Sequence, residues 1–257
     1  MKNPNSEPFK RADALMELID KRLIKLFGEF KTGMKFDELN VLKTVSATYA
    51  EIREFVEEQY RELAKATYDD MWAYLLVMGL MDDEKAKKRK AVSGESKAVT
   101  EAYTEIADAR KENRKPKAKA VKAVTKELVD KLLDGYNSVS GYVFRHELER
   151  KAAKLAESIL AAQTTGDRNK AIDKAMRQLS GQLAEYADQV VSETTKDAYK
   201  SAGITLVKWK TKNDSKVCQA CDELKGQVFE FEKVPPKPHF GCRCWLTVVY
   251  SEGETDA

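Results

Sequence analysis

The chain has 257 residues, 42% hydrophobic and 34% charged, with 12 Gly, 6 Pro and a formal net charge of +3. That length allows one or two domains, and the profile suits a helix-rich protein with much solvated surface. The longest near-apolar run, Met71 to Met81, falls well short of the ~20 residues that a bilayer span needs, so no membrane partner is expected.

In chain order, residues 9–30 carry a helical stripe of Leu15, Leu18, Ile19, Leu23, Leu26 and Phe27, and Gly28 and Gly33 then loosen the chain. Residues 36–66 form the clearest amphipathic pattern. Val41, Val45, Tyr49, Ile52, Val56 and Leu63 share one face, with Glu51, Arg53, Glu54, Glu57, Glu58 and Arg61 on the polar side. Residues 67–80 are apolar nearly all round and predict a helix inside a bundle.

A composition shift begins at Asp82. Three acids precede the run Lys85–Lys90, an order that suits a helix dipole. Residues 95–113 are helix-compatible, with a narrow stripe of Val99, Tyr103 and Ile106, and Pro116 stops any helix arriving there. Residues 82–120 are expected to be an exposed basic arm, linker or hairpin. From Arg110 to Lys126 there are eight Lys/Arg against one acid, a local excess of seven that leaves the rest of the chain at −4. The candidates for phosphate contact are Lys87, Lys88, Arg89, Lys90, Arg110, Lys111, Arg114, Lys115, Lys117, Lys119 and Lys122. The plain alternative is a solvated helix face. No aromatics interleave the lysines, so stacking on single-stranded bases is not suggested.

Helical pattern resumes at Val121–Leu133, and Gly135 suits its C-terminal cap. Val143, Phe144, Leu148, Ala152, Leu155, Ile159 and Leu160 mark the next helix, and residues 164–167 read as a turn. A long helix from Ile172 follows and ends at Gly203. There the period changes. Ile204–Lys210, Gln227–Phe231 and Trp245–Tyr250 read as strands. The expected division is 1–81 and 121–203 as helical regions flanking the basic segment 82–120, then a Cys/His module at 204–250 and a disordered tail at 251–257. The fold class is mainly α, with a long helical N-terminal part followed by a small zinc-ribbon-like α+β module.

All four cysteines and one of the two histidines fall in that module: Cys218, Cys221, His239, Cys242 and Cys244. Ligands two residues apart turn the backbone around one tetrahedral ion, and an intervening hairpin returns the chain to its start. The N-terminus has no apolar core of a secretion signal, so the thiols are expected to meet a reducing compartment, which favours metal over disulfides. The expectation is structural zinc held by four of the five. One or two disulfides, or free thiols, are the alternatives. A zinc module this small would draw its missing core stability from the metal. Trp209 and Trp245 are expected to pack in the core. Arg243 is expected to brace the fold by bonding carbonyls or by pairing with Asp214, Asp222 or Glu223; contact with a phosphate or an acidic partner is the other reading.

His146 lies off the apolar face of its helix and reads as surface. No Ser-His-Asp set, GxGxxG or P-loop is present, so neither an enzyme nor a small-molecule substrate is expected.

The wider pattern is more specific. It runs Gly203-Ile204, Trp209, Thr211, Asp214, Val217-Cys218-x-x-Cys221, Leu224-x-Gly226-x-Val228-Phe229, Pro235-Pro236 and His239-x-x-Cys242-Arg243-Cys244. Over about 45 of the 257 residues this resembles the C-terminal signature of phage head morphogenesis proteins, the Mu F protein-like minor capsid proteins. Phe240 stands where these proteins usually have Pro, and Ser192-Glu193-Thr194-Thr195 does not reproduce their Arg-Thr-Glu stretch. The resemblance assigns Gly226 to a turn. It implies a minor head protein that associates with portal and major capsid proteins, is made in the host cytoplasm and rides in the virion head near the portal. It also implies contact with packaged double-stranded DNA in some members. The alternatives are a zinc-ribbon nucleic-acid-binding regulator and a metal-dependent hydrolase or nuclease, for which Asp222 and Glu223 are the nearby carboxylates.

Overall fold

A computed structural model describes residues 6–33, 37–80, 96–137, 141–211, 217–239, 242 and 244–249. The protein is mainly helical. In chain order come α1 (Ser6–Gly33), α2 (Glu38–Val77), α3 (Lys97–Lys111), α4 (Ala118–Asp134), β1 (Tyr136–Asn137), β2 (Tyr142–Val143), α5 (Phe144–Ala161) and α6 (Thr165–Ser201). Then follow β3 (Leu206–Lys210), α7 (Gln219–Leu224), β4 (Val228–Glu230), a 3-10 turn (Phe231–Lys233) and β5 (Trp245–Val248). Among the described residues, no helix is long and apolar enough to cross a membrane.

The amphipathic pattern of 36–66 and most of the all-round apolar pattern of 67–80 are one helix, Glu38–Val77. Nothing between Glu38 and Val77 is Gly or Pro, so nothing breaks α2. Helix ends are set by local chemistry. Thr164 Oγ1 accepts from the Asp167 amide at 3.1 Å and donates to its carboxylate at 2.7 Å, so the expected turn is the cap of α6. At the other end Gly203 has φ +82°. The Ile204 amide then reaches the Tyr199 carbonyl and the Gly203 amide the Lys200 carbonyl, at 3.0 and 3.1 Å. That is the paired bonding of a Schellman end, which needs a left-handed residue. Asn113, at φ 47°, ends α3 in the same way.

The chain forms two compact units. One comprises Lys10–Leu63 and Val129–Val190. Its core takes Ile19, Leu23 and Phe27 from α1, Val41, Val45, Tyr49, Ile52 and Val56 from α2, Phe144 and Leu148 from α5, and Leu179, Leu183 and Tyr186 from α6. Burying each aliphatic side chain is worth ~1.5–3 kcal/mol. Leu18, placed on the predicted stripe, is instead exposed. Within this unit Arg145 grips Glu57 with two bonds of 2.7 Å, and Tyr60 Oη donates to the Leu183 carbonyl at 2.6 Å. The two-residue ladder of β1 and β2, antiparallel with Tyr136 opposite Val143, was not anticipated.

The other unit comprises Met1–Phe9, Ala64–Leu128 and Val191–Ala257. Tyr68, Met71, Trp72 and Leu75 of α2, Ala102, Ile106 and Ala109 of α3, and Val121 and Val124 of α4 are buried in one cluster. Tyr199 of α6, Ala202 just beyond its end and the sheet residues Val207, Trp209, Leu246 and Val248 join it. The sheet order is β4-β3-β5, all antiparallel, with Val207 opposite Val248 and Trp209 opposite Leu246. The alternation of β3 puts Val207 and Trp209 in the core, Trp209 as expected, and leaves Leu206 exposed.

Within the segment expected as an exposed arm, residues 97–111 are a helix that buries Val99, Ala102, Ile106 and Ala109. Two of these four are alanines, which carry little hydropathy signal yet allow close helix packing. The boundary expected at 120/121 falls inside α4. Residues 82–95 and the tail 251–257 lie outside the described residues.

Candidate metal centre

The cysteines and the histidine come from two stretches of the second unit. Cys218 is the N-terminal cap of α7 and Cys221 lies in its first turn, while His239, Cys242 and Cys244 follow the Pro-rich stretch that leads into β5. The Cys221 amide donates to the Cys218 sulfur at 3.4 Å. This bond shows why two residues between the cysteines suffice: the turn brings both sulfurs to one side of it. The return path runs through β4. The Gly226 amide donates to the Trp209 carbonyl at 2.8 Å and the Trp209 amide to the Gln227 carbonyl at 2.9 Å, which clamps the turn to β3. Gly226 has φ +77°, a left-handed conformation that favours glycine at this position.

The five donors form two overlapping sets, Cys218–Cys221–His239 and Cys221–Cys242–Cys244, each with its donor atoms within 4.8 Å of one another. Cys221 belongs to both. Its sulfur is 3.3 Å from His239 Nε2 and 3.5 Å from the Cys242 sulfur. Zinc bonds of ~2.3 Å to sulfur and ~2.0–2.1 Å to nitrogen, spread tetrahedrally, set ligand atoms roughly 3.5–3.8 Å apart. The donors therefore stand at a spacing close to that of zinc ligands, and the set is soft throughout. All four cysteines are free, and Cys221, Cys242 and Cys244 are buried within the core cluster.

The electrostatics of the thiols fit the same chemistry. A hydrogen bond from Cys244 pulls the Cys242 thiol down to about 5. The same bond, with burial, pushes Cys244 up. Burial raises Cys221 to about 12. The backbone amide of Cys221 lowers Cys218. Four buried or half-buried sulfurs thus share their protons, and a divalent ion would take the place of those protons. Zinc held here would cross-link α7 to the approach of β5.

The other expected site residues are placed as follows. Trp209 is buried and meets Phe229 edge-on at 6.4 Å. Asp214, Arg243 and the run Lys87, Lys88, Arg89 and Lys90 lie outside the described residues. Asp222 and Glu223 are exposed. Arg110 is buried and donates to the Ser201 carbonyl at 3.2 Å. Arg114 is engaged by Glu105 at 2.7 Å and by Glu112. Lys117 lies 3.4 Å from Glu105 and Lys111 3.9 Å from Asp108. Lys115, Lys119 and Lys122 are exposed and make no ion pair among the described residues. Of the candidates that the structure describes, Lys111, Arg114 and Lys117 are thus paired with carboxylates, Arg110 is turned to a carbonyl, and Lys115 in the turn and Lys119 and Lys122 on α4 are exposed.

Two supporting residues were not singled out in the sequence. Lys237 donates from Nζ to the Cys242 carbonyl at 3.0 Å, and its ammonium sits 5.9 Å from the Phe9 ring centroid. A lysine within a Pro-rich stretch between ligands was the available signal for the first. Nothing in the sequence links Phe9 to a site more than two hundred residues away.

No curated protein and no solved structure matches the chain. Residues 153–247, which span the second half of α5, all of α6 and the Cys/His module into β5, match the family described as Phage Mu protein F like protein, the family that the cysteine signature resembles.

Proposed function

We propose that this chain is a phage minor head protein that acts in head morphogenesis rather than in catalysis. The carrying observation is the family match over 153–247, which contains all the candidate metal ligands. In this reading zinc is structural. Cys218, Cys221, His239 and one of Cys242 and Cys244 hold it, and it stiffens a module whose strands are only five, three and four residues long. The partners are the portal protein and the major capsid protein, the location is the virion head near the portal, and assembly takes place in the host cytoplasm. Lys115, Lys119 and Lys122 are the residues suited to contact double-stranded DNA, through phosphates and without sequence preference.

The test is genetic and compositional. Purified particles of the parent phage are expected to contain this chain, and deleting its gene is expected to block formation of DNA-filled heads. Normal filled heads without the chain would sink the reading.

A further inference from the structure

Lys237 stands between Pro236 and Pro238, five positions before Cys242. Proline fixes its own φ, and a residue that precedes proline is pushed to extended backbone, so Pro235–Pro238 has few conformations open to it. The Lys237 side chain is half-buried and lines an apolar cleft together with Phe9, Trp245 and Leu246. Its ammonium donates to the Cys242 carbonyl at 3.0 Å and stands 5.9 Å from the Phe9 ring centroid. The Phe9 ring in turn meets the Trp245 ring at 6.5 Å. One charged group is thereby held from two sides, by a carbonyl of a candidate ligand residue and by an aromatic ring.

The centre supplies the reason for a cation at this place. Three thiolates and a neutral imidazole around a divalent ion leave one net negative charge. Cys221, Cys242 and Cys244 are buried, so water does little to stabilise that charge, and a buried charge needs a partner of opposite sign. Lys237 reaches the backbone of one of these residues, which brings its ammonium close to the sulfurs. The Cys242 thiol is drawn down foremost by the Cys244 hydrogen bond, and the Lys237 charge acts in the same direction. Lys196, the other cation that lines the cleft among the described residues, is offset by Glu193 at 2.8 Å.

We propose that Lys237 is a positioning residue of the metal centre: it stays outside the ligand set, holds Cys242 by its carbonyl and compensates the negative charge of the loaded thiolates, while Phe9 keeps its ammonium in place. This role rests on the reading of the cluster as a zinc centre.

The test uses the full chain, with zinc(II) and cobalt(II) as probes. Lys237→Met keeps the apolar stem and removes the charge, and Lys237→Arg keeps the charge. Competition with a chromophoric chelator measures zinc affinity, and the thiolate-to-cobalt absorption band reports the sulfurs on the ion. Lys237→Met is expected to keep the parent's cobalt band but to bind zinc ~10- to 100-fold more weakly, as when a group behind a metal ligand is lost. Lys237→Arg is expected to restore most of the affinity, and Phe9→Leu to weaken it ~2- to 5-fold. A Met variant that binds as tightly as the parent overturns the role. An Arg variant as weak as the Met variant overturns the charge compensation, and an unaffected Phe9→Leu chain overturns the part given to Phe9. A weaker cobalt band in the Met variant would mean that the ion has lost a sulfur, a collapse of the ligand set instead of lost compensation, and overturns the role as well. A parent chain that binds neither ion overturns the zinc centre itself, whereas a parent that holds zinc beside an equally tight Met variant overturns the role of Lys237 alone.

Discussion

His239 Nε2 stands 3.3 Å from the Cys221 sulfur, although eighteen positions separate the two residues in the chain. The Cys242 sulfur reaches the same atom at 3.5 Å. Cys221 is thus the hinge of the centre, the one donor common to both candidate ligand sets.

From that position, Cys221→Ser should abolish zinc binding, because Cys221 stands in both candidate ligand sets. Because the described part of 204–249 shares one core cluster with α2, α3, α4 and α6, its sheet signal should be lost and the helices packed against it should melt at a lower temperature. Structural zinc contributes about 10–16 kcal/mol in small zinc peptides, far more than such a module can spare. Cys242→Ser should behave likewise, since its sulfur is close to Cys221, whereas Cys244→Ser should keep about one zinc per chain. Elemental analysis of the three variants decides. A Cys221→Ser chain that retains both zinc and its sheet contradicts a structural centre.

The protons give a second check. With burial holding Cys221 up to about 12, its thiol is protonated at neutral pH in the metal-free protein. Zinc requires the thiolate, so loading should release at least one proton per ion. Apparent affinity should then rise roughly tenfold per pH unit for each proton displaced. Calorimetry in buffers of different ionisation enthalpy measures this release. A zinc-binding heat that is independent of buffer would show that no proton leaves.

How legible this was in the sequence depends on the kind of signal. The donors were legible because soft ligands are rare in the chain and are clustered in it. The strand β3 was legible because Val207 and Trp209 fall two apart with Lys208 and Lys210 in the alternate positions. The continuity of α2 was obscured by a change from a one-sided to an all-round apolar pattern at 67–80, which marks deeper burial and not a new element. The packing of α3 was obscured because Ala102 and Ala109 bury small faces under a highly charged surface. Charge counting over 110–126 read a basic surface. It could not show that Arg110 turns inward to a carbonyl or that Glu105, upstream of the counted window, takes up Arg114 and Lys117.

Glu105 makes the turn between α3 and α4 sensitive to acid. Its carboxylate accepts from Arg114 at 2.7 Å and from the Lys117 amide at 3.1 Å. The Arg114 hydrogen bond foremost lowers its pKa from 4.5 to about 2. A depressed folded-state value means that the stabilisation is present above pH 4.5 and is lost as pH falls from there towards 2. With solvent screening the contribution is about 1 kcal/mol. Glu105→Gln should remove it at neutral pH, and the difference between variant and parent should shrink as pH falls below 4.5 and vanish only below about 2. Chemical denaturation at pH 7 and at pH 3 measures it, and an unchanged gap between the two would refute the link.

The basic turn also offers the sharpest test of DNA contact, because the structure separates cations that are engaged from those that are exposed. Lys115, Lys119 and Lys122 project outward, with Lys119 and Lys122 one helical turn apart on α4. Arg110 is buried against Ser201, and Arg114 is committed to Glu105. If phosphates meet this face, each lysine that neutralises one releases a condensed counterion. Changing all three to Gln should then flatten the slope of log affinity against log salt by about 0.9 per lysine contact. The loss should be alike for unrelated duplex sequences, because phosphate contacts carry no base information. Arg110→Gln should instead lower stability, since it leaves the Ser201 carbonyl without its donor, and should leave the salt slope of the remaining folded protein unaltered. Fluorescence anisotropy with a labelled duplex across a salt series reads both. If the triple variant keeps the parent slope, these three lysines are a solvated surface and any DNA contact lies elsewhere on the chain.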